Sequence, residues 1–75
     1  MIDRKIFSER LRNLRNRDNK TMVDVSTALR ISKVSVFQWE SMKTIPTGDN
    51  LIVLADYFDV SVDYLVGRSD SLQRK

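Results

Sequence analysis

Apolar residues recur along the chain at spacings of three and four, as they do on one face of an amphipathic helix. In the first segment, at about 4–17, Phe7, Leu11 and Leu14 follow this spacing. The periodicity is helical throughout, and nothing in it resembles a sheet. The pattern therefore predicts an all-α protein, and 75 residues suffice for one small domain.

Capping residues predict two short helices at about 21–41. Thr21, with Asp24 three residues later, is close to a capping box, and Ser32 caps the second helix. Only the two residues at 30–31 join these helices. Because so short a connection does not allow a flat antiparallel hairpin, the helices should cross steeply, as in a helix-turn-helix.

The remaining chain predicts two further helices. The loop KTIPTGDN precedes a helix that Thr47 or Asp49 can cap, and Ser61 caps one last turn. The longer of the two helices has a full apolar stripe, which is Leu51, Leu54, Ala55 and Phe58. We expect a compact five-helix bundle at 1–67, followed by a polar, disordered tail at 68–75.

The helix that follows Ser32 carries apolar residues on two faces. Val36 and Trp39 share one face, which is ordinary core. Val34 and Phe37 lie three apart on a second face. The polar members of this second face are Lys33, Gln38 and Ser41. Since a small domain rarely exposes a bulky aromatic side chain without a reason, we expect the second face to contact a partner.

The composition argues against an enzyme and against a metal or cofactor site. The chain has no cysteine and no histidine, which removes disulfides, thiol nucleophiles, the commonest metal ligand and the commonest general base. The start, MIDRKIFSER, lacks the apolar region of a signal peptide, and no apolar run approaches the ~20 residues that span a membrane. We expect a cytoplasmic protein with no cofactor, no membrane contact and no small-molecule ligand.

The net charge of +3 is unevenly distributed. Residues 1–20 carry seven basic and three acidic side chains, a net +4, whereas residues 42–67 carry one basic and four acidic side chains, a net −3. This division suggests a basic side that faces an anion and an acidic side that faces away. A solvated helix with many arginines explains the same division.

Several stretches together resemble the Cro and lambda-repressor-type helix-turn-helix domains of phage and bacterial regulators. They are FSERLRNLR, TMVDVSTALRIS, KVSVFQWESMK and IPTGDNLIVLADYFDVSVDYLVG, and they cover about 6–67. The Trp39-Glu40 pair and the closing VSVDYLVG are the most specific pieces. The resemblance implies a lambda-repressor-like DNA-binding fold whose third helix enters the major groove of operator DNA, usually as a two-fold dimer.

The resemblance places base contacts on the helix at about 33–41. Lys33, Val34 and Gln38 match positions that contact bases, and Phe37 lies between them. Gln38 can pair with adenine, and Lys33 can reach guanine acceptors. Val34 and Phe37 can pack on thymine methyl groups.

Phosphate contacts are implied at positions that flank this helix. The residues are Thr21, Met22, Ser41, Lys43, Thr44 and Asn50. Simple capping and solvation explain each of these residues as well. The resemblance also implies a structural ion pair between Arg15 and Glu40, which joins the first and third helices. Arg10 and Arg12 are expected on the solvated surface.

Four residues depart from the family pattern: Lys20, Met22, Arg30 and Met42. Lys20 occupies a position that is usually apolar. Met22 replaces a glutamine that often touches phosphate and the outermost base. Arg30 and Met42 stand where glycine is usual. Arg30 must therefore adopt a left-handed conformation, at a cost of about 1 kcal/mol.

A small apolar patch near the C-terminus is expected to pair two copies of the chain weakly, mainly on DNA. Its residues are Tyr57, Val62, Tyr64 and Val66. The alternative is that Tyr64 and Leu65 simply close the core of the monomer.

Two functions stay open at this point. The first is a sequence-specific transcriptional regulator, a repressor that binds a double-stranded operator. The second is a protein-interaction module on the same fold, an antirepressor or antitoxin, that uses Val34 and Phe37 against a protein. A specific DNA site with a steep salt dependence favours the first, and a tight protein partner with sequence-blind DNA binding favours the second.

Overall fold

The computed structural model describes residues 2–72. Its five α-helices are α1 Arg4–Arg17, α2 Met22–Leu29, α3 Lys33–Glu40, α4 Gly48–Phe58 and α5 Val62–Leu65. These 71 positions contain no strand, so the predicted all-α, five-helix fold is confirmed. None of the five helices is long and apolar enough to cross a membrane.

Each helix begins at a side chain that accepts a hydrogen bond from a backbone N–H three residues later. The capping residues are Asp3, Thr21, Ser32, Thr47 and Ser61. Of the two candidates for α4, the cap is Thr47, and Asp49 lies in the first turn. Short polar residues thus mark where each helix begins, which is why the helix starts can be read from the sequence.

The start of α2 is a complete capping box. The Asp24 carboxylate accepts from the Thr21 N–H at 2.9 Å, and the Thr21 hydroxyl accepts from the Asp24 N–H at 3.0 Å. The backbone bond, helped by the hydroxyl, lowers the pKa of Asp24. The unfolded state therefore binds more protons at low pH. This contribution to stability is present above the ordinary Asp pKa of about 4 and is lost as the pH falls through the lowered value.

The core is apolar and draws on all five helices and on the segment between α4 and α5. Its buried members are Phe7, Leu11, Leu14, Val25, Leu29, Val36, Trp39, Leu54, Ala55, Phe58, Val60 and Leu65. Ile31, in the turn between α2 and α3, is partly buried against it. Ser26 is also buried, and its hydroxyl donates to the Val23 carbonyl oxygen at 2.8 Å. The helix-turn-helix therefore forms one side of a single core.

The turn between α2 and α3 is made without glycine. Arg30 adopts the left-handed conformation that the sequence implies, with φ 58° and ψ 44°. The Ile31 N–H donates to the Ser26 carbonyl oxygen at 3.0 Å, the long bond of a Schellman motif. Met42, just after α3, also has a positive φ of 65°. A non-glycine residue in this conformation costs about 1 kcal/mol relative to glycine. Both residues nevertheless adopt the positive φ that the motif requires.

Residues 68–72, which the sequence assigns to a disordered tail, are hydrogen-bonded to α5. The N–H groups of Arg68 and Ser69 donate to the Asp63 carbonyl oxygen at 2.9 and 3.2 Å. The Ser61 N–H donates to the Leu72 carbonyl oxygen at 3.2 Å. The segment is thus bonded to Ser61, which caps α5, and to Asp63 in the first turn of α5. Disorder of the tail stays a prediction. Residues 73–75 of the tail lie outside the described part of the chain.

Candidate nucleic-acid interface

The outward face of α3 is the most distinctive surface of the domain. Val34 is 59% exposed and Phe37 is 50% exposed, although both side chains are apolar. Lys33 is exposed beside them, and Gln38 is half-buried. Trp39 on the opposite face is buried in the core. The four residues predicted to contact bases therefore belong to one short helix, with a cation and an amide flanking an apolar pair.

A buried ion pair fixes α3 against α1. The Arg15 guanidinium donates from Nε to Glu40 Oε2 at 2.7 Å and from a terminal nitrogen to Oε1 at 3.0 Å. Glu40 is only 6% exposed. The hydrogen bonds from Arg15 to this carboxylate raise the pKa of the guanidinium. A two-bond pair of this kind sets orientation as well as distance, so it determines how α3 is presented.

Two further arginine contacts extend this junction. Arg15 also donates to the Lys20 carbonyl oxygen at 3.1 Å, which ties the end of α1 to the start of the helix-turn-helix. Arg12 donates to the Glu40 carbonyl oxygen at 3.3 Å, at the C-terminal end of α3. Arg12 is exposed, as the sequence predicts. The last turn of α3 is thus held by two residues of α1.

The residues predicted to contact phosphate lie at two helix starts and in the segment after α3. Ser41, Lys43 and Thr44 are exposed in that segment, which directly follows α3. The Ser41 hydroxyl donates to the Phe37 carbonyl oxygen at 2.7 Å, which closes the end of α3. Lys43 is exposed and forms no ion pair among the described residues, so it is available to an anion.

The two helix starts already hold acidic side chains. At α2, the Thr21 N–H is bonded to the Asp24 carboxylate, so a phosphate there would meet a negative charge. At α4, the Asn50 N–H donates to the Thr47 hydroxyl at 3.4 Å, and Asp49 lies in the same turn. Contacts by Thr21, Met22 and Asn50 stay predictions, with weaker physical support than those after α3.

Arg10 is not on the solvated surface, so that expectation is wrong. Its side chain is 17% exposed, and its guanidinium carbon lies 4.0 Å from the centre of the Tyr64 ring. It donates to the carbonyl oxygens of Tyr64 and Ser69 at 2.6 and 2.7 Å. The prediction failed because these partners are more than fifty residues away along the chain.

The predicted dimer patch is half-buried in the monomer. Tyr57, Val62 and Tyr64 pack against the core, and the Tyr64 ring also lies under the Arg10 guanidinium. Leu65 is fully buried, as the alternative prediction has it. The fourth member of the patch, Val66, is half-buried as well. Pairing through this patch stays a prediction.

An exposed apolar pair on α4 was not found from the sequence. Ile52 and Val53 are both exposed, next to the buried stripe of the same helix. Asp49 and Asp56 are the exposed acidic residues nearest to them in α4. The signal was present, because two apolar residues at 52–53 fall outside the spacing of the stripe that begins at Leu51.

Five helices around one core, with a helix pair that is joined by a short turn and exposes one face of its second helix, define a helix-turn-helix domain. The helix-turn-helix family profile matches residues 11–65, well over half of the chain. The chain belongs to this family, which confirms the resemblance to Cro and lambda-repressor-type regulators.

Curated relatives are regulators from phage and bacteria. The transcriptional repressor RstR of cryptic phage CTXphi, in Vibrio cholerae serotype O1, is 40% identical over 62 residues, 83% of this chain and 55% of that protein. The HTH-type transcriptional regulator YobD of Bacillus subtilis is 37% identical over 65 residues, 87% of this chain and 58% of that protein. The chain thus spans little more than half the length of these relatives.

The fold is similar to that of a repressor solved with DNA. The crystal structure of the P22 c2 repressor with a synthetic operator matches with a TM-score of 0.80 at 30% identity. The match covers 85% of this chain and 97% of that one. A transcriptional regulator from Listeria innocua matches with a TM-score of 0.79 at 29% identity, over 92% of this chain and 64% of that one.

Proposed function

We propose that the chain is a sequence-specific transcriptional regulator, a repressor that acts by occupying a double-stranded DNA operator in the cytoplasm. The observation that carries the proposal is the outward face of α3, where Val34 and Phe37 are exposed between Lys33 and Gln38. The names of the relatives and the operator bound to the structural neighbour support the same class.

The dimensions of α3 suit the major groove. An α-helix with its side chains is about 10–12 Å across, and the groove of B-DNA is about 12 Å wide. The side-chain chemistry also fits base edges. Gln38 offers a donor and an acceptor to adenine, Lys33 offers donors to guanine, and Val34 with Phe37 offers apolar surface to thymine methyl groups.

Phosphate contacts would fix the position of α3 without reading sequence. Lys43 supplies a charge at the end of α3, and the hydroxyls of Ser41 and Thr44 supply polar contacts beside it. We propose that pairing of two copies is weak and forms mainly on DNA. A domain of this size buries little surface, so two half-sites are needed for tight specific binding.

Selection from a random duplex library tests the proposal. We expect enrichment of one site, palindromic or a half-site, bound roughly a thousandfold or more tightly than random DNA. The affinity for this site should fall steeply between low and physiological salt. No enrichment, with only weak salt-sensitive binding, would remove the proposed function and leave the fold unchanged.

A variant of the apolar pair separates DNA readout from binding of a protein. Val34→Ser with Phe37→Ser leaves the core intact, because both side chains are exposed. We expect loss of site preference and survival of weak nonspecific binding. In the selected site, replacing a contacted thymine by uracil removes one methyl group, worth about 0.8 kcal/mol or roughly fourfold in affinity. If neither change affects DNA binding, the face serves an antirepressor or antitoxin contact instead.

Gln38→Ala is expected to relax specificity at one base pair. Loss of a bidentate contact to adenine should cost about 1–3 kcal/mol on the selected site and little on a site altered at that position. Quantitative binding to the four versions of that base pair measures the effect. An unchanged order of base preference would show that Gln38 does not read the DNA.

Lys43→Ala is expected to weaken all DNA sites alike. Removing one phosphate contact should reduce the slope of log affinity against log salt by roughly one. Lys5→Ala is the matched control, because Lys5 is exposed at the start of α1 and carries the same charge. Equal slopes for Lys43→Ala and wild type would place Lys43 away from the phosphates.

A further inference from the structure

A short segment after α5 folds back along that helix. Gly67 turns the chain with a positive φ of 86°. After it, the N–H groups of Arg68 and Ser69 donate to the Asp63 carbonyl oxygen. The chain then returns to the start of α5, where the Ser61 N–H donates to the Leu72 carbonyl oxygen at 3.2 Å. Residues 68–72, here called the latch, are therefore bonded to Ser61, which caps α5, and to Asp63 in its first turn.

Arg10 connects the latch to α1. Its guanidinium donates to the Ser69 carbonyl oxygen at 2.7 Å and to the Asp70 carboxylate at 2.9 Å. The same group donates to the Tyr64 carbonyl oxygen at 2.6 Å and stacks on the Tyr64 ring at 4.0 Å. One side chain thus covers Tyr64 and holds the latch beside it.

The latch is well hydrogen-bonded but buries little apolar surface. Leu72, its one large apolar residue, is exposed, and so is Asp70. A segment held by a few polar contacts near solvent opens locally at a lower free energy than the core does. The Arg10–Asp70 pair has one fully exposed partner, so it adds little holding strength of its own.

We propose that the latch, locked by Arg10, keeps Tyr64 within the monomer and thereby limits the pairing of two copies of this chain. The inference rests on the pairing proposed above through Tyr57, Val62, Tyr64 and Val66. While Arg10 lies on the Tyr64 ring, that ring face is unavailable to a second copy. Release of the latch removes the hydrogen bonds from Arg10 to Ser69 and Asp70, so Arg10 is held over the Tyr64 ring by fewer contacts and leaves the ring face more readily. Opening and pairing are then linked, and each favours the other to the same extent.

The test compares self-association without DNA, so it is independent of operator binding. Asp70→Lys places a positive charge against Arg10 and touches no core residue, since Asp70 is exposed. We expect its dimer dissociation constant, from sedimentation equilibrium, to fall about two- to fivefold below that of wild type, because repulsion at a fully exposed position is weak. Glu9→Lys is the matched control, because it makes the same charge change at an exposed position beside Arg10 in the sequence.

Hydrogen exchange at the Ser61 amide reports whether the latch is open. Its acceptor is the Leu72 carbonyl oxygen, so exchange should accelerate about two- to fivefold in Asp70→Lys and stay as in wild type in Glu9→Lys. Arg10→Gln is a second variant that removes the lock itself. Like Asp70→Lys, Arg10→Gln should accelerate exchange at Ser61 and strengthen pairing.

Three results would overturn the proposal. The first is faster exchange at Ser61 with an unchanged dimer dissociation constant. The second is unchanged exchange in both Asp70→Lys and Arg10→Gln, since the latch would then not depend on Arg10. The third is a dimer dissociation constant that is the same in all these variants and in wild type, together with loss of pairing when Ile52 or Val53 is changed. The two copies would then contact each other through α4. Both the dimer dissociation constant and the exchange rate are measured without DNA. The three results can therefore be interpreted whether or not an operator is selected.

Discussion

Replacing Trp39 with alanine is expected to lower the free energy of unfolding by about 3–5 kcal/mol. Trp39 is the largest side chain of the core and is 4% exposed. Its removal leaves a cavity between α3 and the rest of the domain, which surrounding residues fill only in part. A domain of this size has roughly 4–11 kcal/mol of stability in total, so the loss is a large share of it. Urea unfolding followed by far-ultraviolet circular dichroism measures the change.

Phe37→Ala is the matched control for this experiment. Phe37 is an aromatic residue two positions earlier in α3, but its side chain is exposed. An exposed substitution should change stability by about 0.5 kcal/mol or less. The two aromatics should therefore separate: Trp39→Ala loses stability, and Phe37→Ala keeps stability but loses site preference. A Trp39→Ala variant as stable as wild type would show that α3 does not depend on this side chain.

Local patterns account for what the sequence predicts correctly. The caps Thr21 and Ser32 act within three residues, so helix starts follow from short-range chemistry. The division of α3 into a buried and an exposed face also follows from spacing alone, because Val36 and Trp39 fix which side meets the core. The resemblance to a family adds how these helices are arranged in space.

Contacts between distant parts of the chain account for what was missed. Arg10 looks like any surface arginine of an amphipathic helix, and its partners Tyr64 and Asp70 are 54 and 60 residues away. No periodicity in either segment signals that they meet. The latch likewise bonds through backbone groups that its polar composition does not describe, so no pattern in the sequence predicts these hydrogen bonds.

The site itself was predictable only in part. The positions on α3 follow from helix geometry, but whether they contact bases depends on a second molecule. The acidic residues at the helix starts show the limit of carrying roles over by position. Asp24 completes a capping box that stabilises α2, and the same carboxylate opposes a phosphate at that place. A residue that helps the fold can therefore weaken a contact that the resemblance implies.

Arg15→Met is expected to destabilise the domain by about 3 kcal/mol, the lower end of the range for breaking a buried ion pair. The substitution leaves the Glu40 carboxylate without its two-bond partner at a site that is nearly closed to water. Most of the cost is the uncompensated charge rather than the lost attraction. Arg4→Met, an exposed change on the same helix, should have little effect. Urea unfolding of both variants at neutral pH measures the difference.

A double variant separates the charge from the packing. In Arg15→Met with Glu40→Leu the buried carboxylate is gone, so most of the lost stability should return. The coupling free energy, from the two single variants and the double variant, then measures the ion pair directly. If the pair serves mainly to orient α3, the double variant should be stable yet bind the selected operator less tightly than wild type. Full recovery of both stability and affinity would show that apolar packing positions α3 as well as the ion pair does. A single variant as stable as Arg4→Met would mean that Glu40 is solvated in solution.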